Sequence, residues 1–170
     1  MQFLSPYVQF EHRGTSSLAL SHERFAYAGK FVMTNTEKVV AYETDDELLA
    51  AAAFSEDYSD PSCVRIRYIT VREDRRGEGI GPQLLAWTAE QLSDRFDSVT
   101  IAVNNPIAYQ ACHRAGFVWT GEETGIAELR MRYAPDRPDP EAYQAGLAVF
   151  RGRELPPEQK QVLERNVTQP

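Results

Sequence analysis

Cysteine, lysine, histidine and long apolar runs are all scarce in this 170-residue chain. Its only cysteines are Cys63 and Cys112, too few for a disulfide framework or a zinc cluster, so no metal site is expected. Lys30, Lys38 and Lys160 are the only lysines among 18 basic residues, which face 25 acidic ones. A net charge of −7 argues against binding nucleic acid or an anionic membrane through general electrostatics, and neither is expected as a partner. The opening MQFLSPYVQFEHR has no basic stretch leading into an apolar one, and no later run reaches the ~18 apolar residues of a membrane span. A cytoplasmic location is therefore expected. The sequon at Asn166 is then idle, since only a secretory compartment would use it. Internal repeats and low-complexity tracts are absent too.

What is present suits a folded domain: 42% hydrophobic residues, 11% aromatics, and a length that can bury a core. Residues 1–36 are the least patterned. PYVQFEH fits a strand, and SSLALSHERFAYAG fits a short helix ended by Gly29. From Lys38 the elements sharpen. KVVAYET reads as a strand, Asp45-Asp46 as a turn, and ELLAAAAFSE as the hairpin partner. DYSDPS is a loop and CVRIRYITV a strand. Ile80, Leu84, Trp87, Thr88, Leu92 and Phe96 recur at helical spacing. SVTIAV is the next strand. A second helix follows, with Asn105 as cap, Pro106 in the first turn and Gly116 at its end. FVWTGEE and IAELRMRYA form a final hairpin. The order β-β-β-α-β-α-β-β makes a mixed α/β (α+β) domain over residues 1–133. APDRPDP is a linker, and Pro140–Arg151 and Pro156–Asn166 are short helices. This extension, 134–170, packs on the same domain or forms a homodimer contact; Gly146 weakens the helical reading of its first part.

The stretch REDRRGEGIGPQLLAW gathers three glycines and two adjacent arginines where a helix begins. A helix N-terminus offers unpaired N–H groups and partial positive charge, so this is a phosphate cradle in outline. A P-loop is excluded because the stretch has no lysine. A dinucleotide fingerprint fails because its third glycine would fall on Pro82 or Leu84. Arg76-x-x-Gly79-x-Gly81 between strand and helix resembles the coenzyme A pyrophosphate loop of the GNAT superfamily of N-acetyltransferases. Asn105-x-x-Ala108, then a helix ending in Gly116-Phe117, is similar to that family's second signature. The likeness covers about residues 38–133.

The resemblance implies a central, mixed and mostly antiparallel sheet with splayed central strands, flanked by helices. It implies acetyl-CoA as cosubstrate and direct acetyl transfer to the amine of a small molecule or peptide. The pyrophosphate would sit on the N–H groups of Arg76, Gly77, Glu78, Gly79, Ile80 and Gly81, where a Cβ would hold it away. The pantetheine arm would pair with the backbone of Ile69, Thr70 and Val71, and Asn105 would lie beside it as well as capping. The family often has a tyrosine acid seven residues after the signature Asn; here that position is Cys112. Cys112 and Tyr109 are both candidate acids, and both also fit a plain packing role. Glu43 is the first candidate base, with Glu23 and His22 behind it. His113, adjacent to Cys112, cannot face it on a helix.

Where the family often carries an acceptor-facing carboxylate, this strand has Arg65 and Arg67. Strand alternation puts Arg65, Arg67 and Ile69 on one face. If that face meets the acceptor, two cations select an anion-bearing amine; otherwise they lie in solvent or pair with Glu43 or Asp45. The missing carboxylate and the Cys112 replacement leave a second reading: a module that binds acyl-CoA as sensor or scaffold without turnover.

Overall fold

The computed structural model describes residues 7–43 and 47–165. The expected turn at Asp45-Asp46 and the end of the last helix at Asn166 lie outside these. The chain forms two compact units, Met1–Val99 and Thr100–Pro170.

In the first unit four antiparallel strands lie side by side in chain order: β1 (Gln9–Gly14), β2 (Glu37–Tyr42), β3 (Leu48–Glu56) and β4 (Cys63–Val71). The hairpin reading of ELLAAAAFSE holds. Alanine favours strands poorly, but Ala50–Ala53 are fully buried, and burial on both faces overrides propensity. One face carries helix α1 (Ile80–Leu92), whose Trp87 and Leu92 line one hollow with Val39 and Phe54. The other face carries Val40, Ala51 and Ala53 under the N-terminal segment.

That segment is not the helix that its composition suggests. Residues 16–27 form turns and irregular chain, and only Ala28–Val32 makes a 3-10 turn. Leu18, Leu20, Phe25, Ala28 and Phe31 each anchor on the sheet, so tertiary burial dictates the path. Lys38, fully buried in β2, ties it down: its ammonium donates to the carbonyls of Thr15 (3.0 Å), Thr36 (2.9 Å) and Met33.

Strand β5 (Ser98–Val103) crosses the boundary between the units. The second unit continues with α2 (Pro106–Arg114), β6 (Phe117–Glu123), β7 (Leu129–Tyr133), α3 (Pro140–Arg151) and α4 (Pro157–Arg165). Its strands run antiparallel in the order β5-β7-β6. Asn105 and Asp139 cap α2 and α3 by the same device: each side chain accepts an N–H three residues on, from Ala108 and Ala142, and a proline follows. Tyr143, Leu147 and Phe150 are the buried face of α3, which packs on α2 and β6. Gly146 is there of necessity, since a Cβ would lie 2.1 Å from the Tyr109 hydroxyl.

Candidate active site

The last residues of β4 lead into the glycine stretch through a fixed corner. The Arg72 N–H donates to the Leu49 carbonyl (2.8 Å), and Arg72, itself buried, binds Asp74 at 2.6 Å. Asp74's carboxyl is held below its usual range by that bond. Arg75 is gripped from both sides, by Glu78 (2.9 Å) and Glu43 (3.2 Å). Glu43 is thus an anchor for the loop rather than a free carboxylate. Arg76 is exposed and, among the described residues, hydrogen-bonds only to the Val71 carbonyl, through Nε at 3.3 Å. The two adjacent arginines therefore divide: one builds the loop and the other faces outward.

Gly77 and Gly79 both have φ of +84°, in the left-handed region that favours glycine. No neighbour would meet a Cβ at Gly77, so conformation explains this glycine, a ground that the sequence reading did not give. Gly81 serves packing instead, because a Cβ there would lie 3.2 Å from Val71 Cγ2. Gly79 is the N-cap of α1; it has no side chain to cap with, and the first turn holds no acid. The N–H groups of Ile80 and Gly81 are left for another acceptor, and Pro82 has none to offer. Anion-binding backbone of this kind fits a pyrophosphate.

Higher on β4 the strand is irregular. Ala53 pairs with Tyr68 and Phe54 with Ile66, leaving Arg67 as the extra residue of a β-bulge. The bulge changes the alternation expected from sequence. Arg67 and Tyr68 both turn to the face under the N-terminal segment, as Arg65 does, whereas Ile69 turns to the α1 side. Ile69 pairs with Ala52, which pairs in turn with Val39, and Val39 lines the same hollow as Trp87 of α1. Arg65 and Arg67 thus share a face, and Ile69 does not share it. Neither arginine pairs with Glu43. Arg65 binds Asp57 (3.3 Å), while Arg67 donates to Ser55 Oγ (2.9 Å) and the Glu56 carbonyl (3.0 Å). Beside Arg67 an open pocket of about 460 Å³ extends to Tyr27, Lys30 and Met33 of the N-terminal segment.

Tyr109 and Cys112 lie inside the second unit. Tyr109 is fully buried, donates its hydroxyl to the carbonyls of Tyr143 (3.1 Å) and Ala142 (3.2 Å), and stacks on the Tyr143 ring at 5.2 Å. Burial raises its pKa and pushes the Cys112 thiol up to about 12. His113 stacks on Tyr143 at 3.8 Å, and burial, with Arg114, lowers its pKa. Asn105 accepts the Ala108 N–H at 2.9 Å. His22 and Glu23, the reserve bases, are exposed.

Residues 6–117 match the Acetyltransferase (GNAT) family. The chain belongs to that family. Solved structures repeat the GNAT fold at low identity. A Bacillus subtilis acetyltransferase in complex with CoA shares 18% identity at a TM-score of 0.59, over 75% of this chain and 98% of its own. A GNAT acetyltransferase from Elizabethkingia anophelis with acetyl-CoA bound shares 14% at 0.57, over 76% and 99%. A nourseothricin acetyltransferase shares 17% at 0.52, over 74% and 97%. None of the curated proteins compared with the chain matches it. No described helix is long and apolar enough to cross a membrane.

Proposed function

We propose that this GNAT protein transfers the acetyl group of acetyl-CoA directly to the amine of a small molecule or peptide. The observation that carries the reading is the start of α1: two left-handed glycines, an uncapped first turn and an outward Arg76, with Arg75 held out of competition by Glu43 and Glu78. Coenzyme-bound neighbours of the same fold support the choice of cosubstrate.

In this reading the N–H groups around Gly77–Gly81 and the Arg76 guanidinium hold the pyrophosphate, and the backbone of Ile69–Val71 orients the pantetheine arm. The bound cosubstrate supplies an activated acetyl thioester. A backbone N–H near Val71 polarises the reacting carbonyl. The chain must also accept a proton from the amine and return one to the thiol. Tyr109 and Cys112 are placed for packing, with raised pKa values and no solvent contact, and Glu43 is committed to Arg75. The proposal therefore routes both protons through water.

The test is the release of free coenzyme thiol from acetyl-CoA over a panel of amines, with mass spectrometry of the amine. Thiol and acetylated product appearing together support transfer. Tight acetyl-CoA binding with no thiol released by any amine favours the sensor or scaffold reading.

A further inference from the structure

Resting on the acetyl-transfer reading, we infer that the pocket beside the β4 bulge is the acceptor site, and that it selects amines carrying an anionic group, carboxylate or phosphate, next to an apolar or aromatic body. The first support is charge. Arg67 and Lys30 both line the pocket, and no described aspartate or glutamate does, in a chain with 25 acidic residues against 18 basic ones. Most arginines near the sheet have carboxylate partners: Arg65 has Asp57, Arg72 has Asp74, and Arg75 has Glu43 and Glu78. Arg67 instead donates to a hydroxyl and a carbonyl, which fix its direction and leave its charge uncompensated. Lys30 lies 5.6 Å from the centre of the Tyr68 ring. An anion bound in this pocket supplies the carboxylate that neither cation has among the described residues.

The second support is aromatic surface. Tyr58, 87% exposed, lies under the Arg67 guanidinium at 4.5 Å, and Tyr27, 61% exposed, faces Tyr68 at 6.4 Å. Exposed tyrosines gathered around one hollow give a ligand large contact area at small cost in side-chain freedom. The third is backbone. Tyr27 has φ of 59°, a conformation that tyrosine rarely adopts, and such outliers gather at functional sites. The bulge at Arg67 is the fourth, because it aims Arg67 and Tyr68 into the same pocket instead of to opposite faces. A volume of about 460 Å³ suits a small molecule or a short peptide end.

Glycyl-glycyl-phenylalanine and its C-terminal amide present the same amine and differ in the anion. Wild type is expected to acetylate the acid with a KM about tenfold or more below that of the amide. Arg67→Gln and Lys30→Gln should each bring that ratio towards one, and Arg67→Lys should restore part of it. Substituting phosphoryl-ethanolamine tests whether phosphate serves as well as carboxylate. The inference is overturned if wild type prefers the amide or spermidine, or if neither glutamine variant alters the ratio. Calorimetry of the two tripeptides on the coenzyme A-bound protein reads the pocket without turnover. An acid-selective, Arg67-dependent heat with no thiol release would uphold the pocket and contradict acetyl transfer alone.

Discussion

Arg75 sits between Glu43 and Glu78, whereas Arg76 next to it binds, among the described residues, only a backbone carbonyl. Replacing each by alanine should separate the two roles. Arg76→Ala should leave the melting temperature almost unmoved and weaken acetyl-CoA binding about 10- to 100-fold, the loss of one or two charge-assisted hydrogen bonds. Arg75→Ala should lower the melting temperature by a few degrees, roughly 1 kcal/mol, because two carboxylates lose a shared cation. Calorimetry beside thermal denaturation reads both; equal effects in the two variants would contradict the division. Gly79 carries another cost. At φ +84° a Gly79→Val change strains the loop by about 1–2 kcal/mol as well as blocking the cradle, so it tests less cleanly than Arg76→Ala.

Helices α2 and α3 are joined by the stack of Tyr109 on Tyr143, with His113 on the second ring. Gly146→Ala puts a methyl group into the Tyr109 ring and should destabilise by about 1–3 kcal/mol, measured by urea denaturation. Tyr109→Ala combined with it should be far less than additive, because the collision has then gone. His113 supplies a pH signature. Its pKa is lowered in the fold from 6.5, so below pH 6.5 the unfolded chain binds a proton that the native one refuses. Its contribution to stability is present above pH 6.5 and falls as the pH drops towards the folded pKa. His113→Phe should flatten that part of the stability profile relative to wild type. These elements were legible in different degrees. Asn105-Pro106 announces α2 because cap and first turn are local chemistry. Tyr143, Leu147 and Phe150 likewise mark α3, and Gly146 counted against it only because its reason lies on another helix. Leu18 to Phe31 misled for the same cause: their spacing answers to the sheet beneath them, not to a helix period.

For the molecule as a whole, the shape of the glycine loop could be read from sequence and the pocket beside Arg67 only in part. Arg76-x-x-Gly79-x-Gly81 encodes a local backbone shape, and a motif records such shapes directly. The pocket joins residues from Tyr27 to Tyr68, brought together by a bulge that period-two alternation cannot foresee. Arg67 was visible as a candidate, but Lys30 and the three tyrosines were not; the scarcity of lysine was the one available hint. The sequence left Tyr109 and Cys112 open between acid and packing roles, because the α3 residues that hold Tyr109, Ala142 and Tyr143, lie more than thirty positions away. The proposed function turns on the loop from Gly77 to Gly81 holding the pyrophosphate of the coenzyme. At 19.2 kDa the protein is within reach of amide-resolved NMR, which tests this directly. On titration with coenzyme A, the amide resonances of Gly77, Gly79, Ile80 and Gly81 should shift most, and Arg76→Ala should right-shift the titration at the same amides. Saturable binding that leaves those four amides unmoved would contradict it.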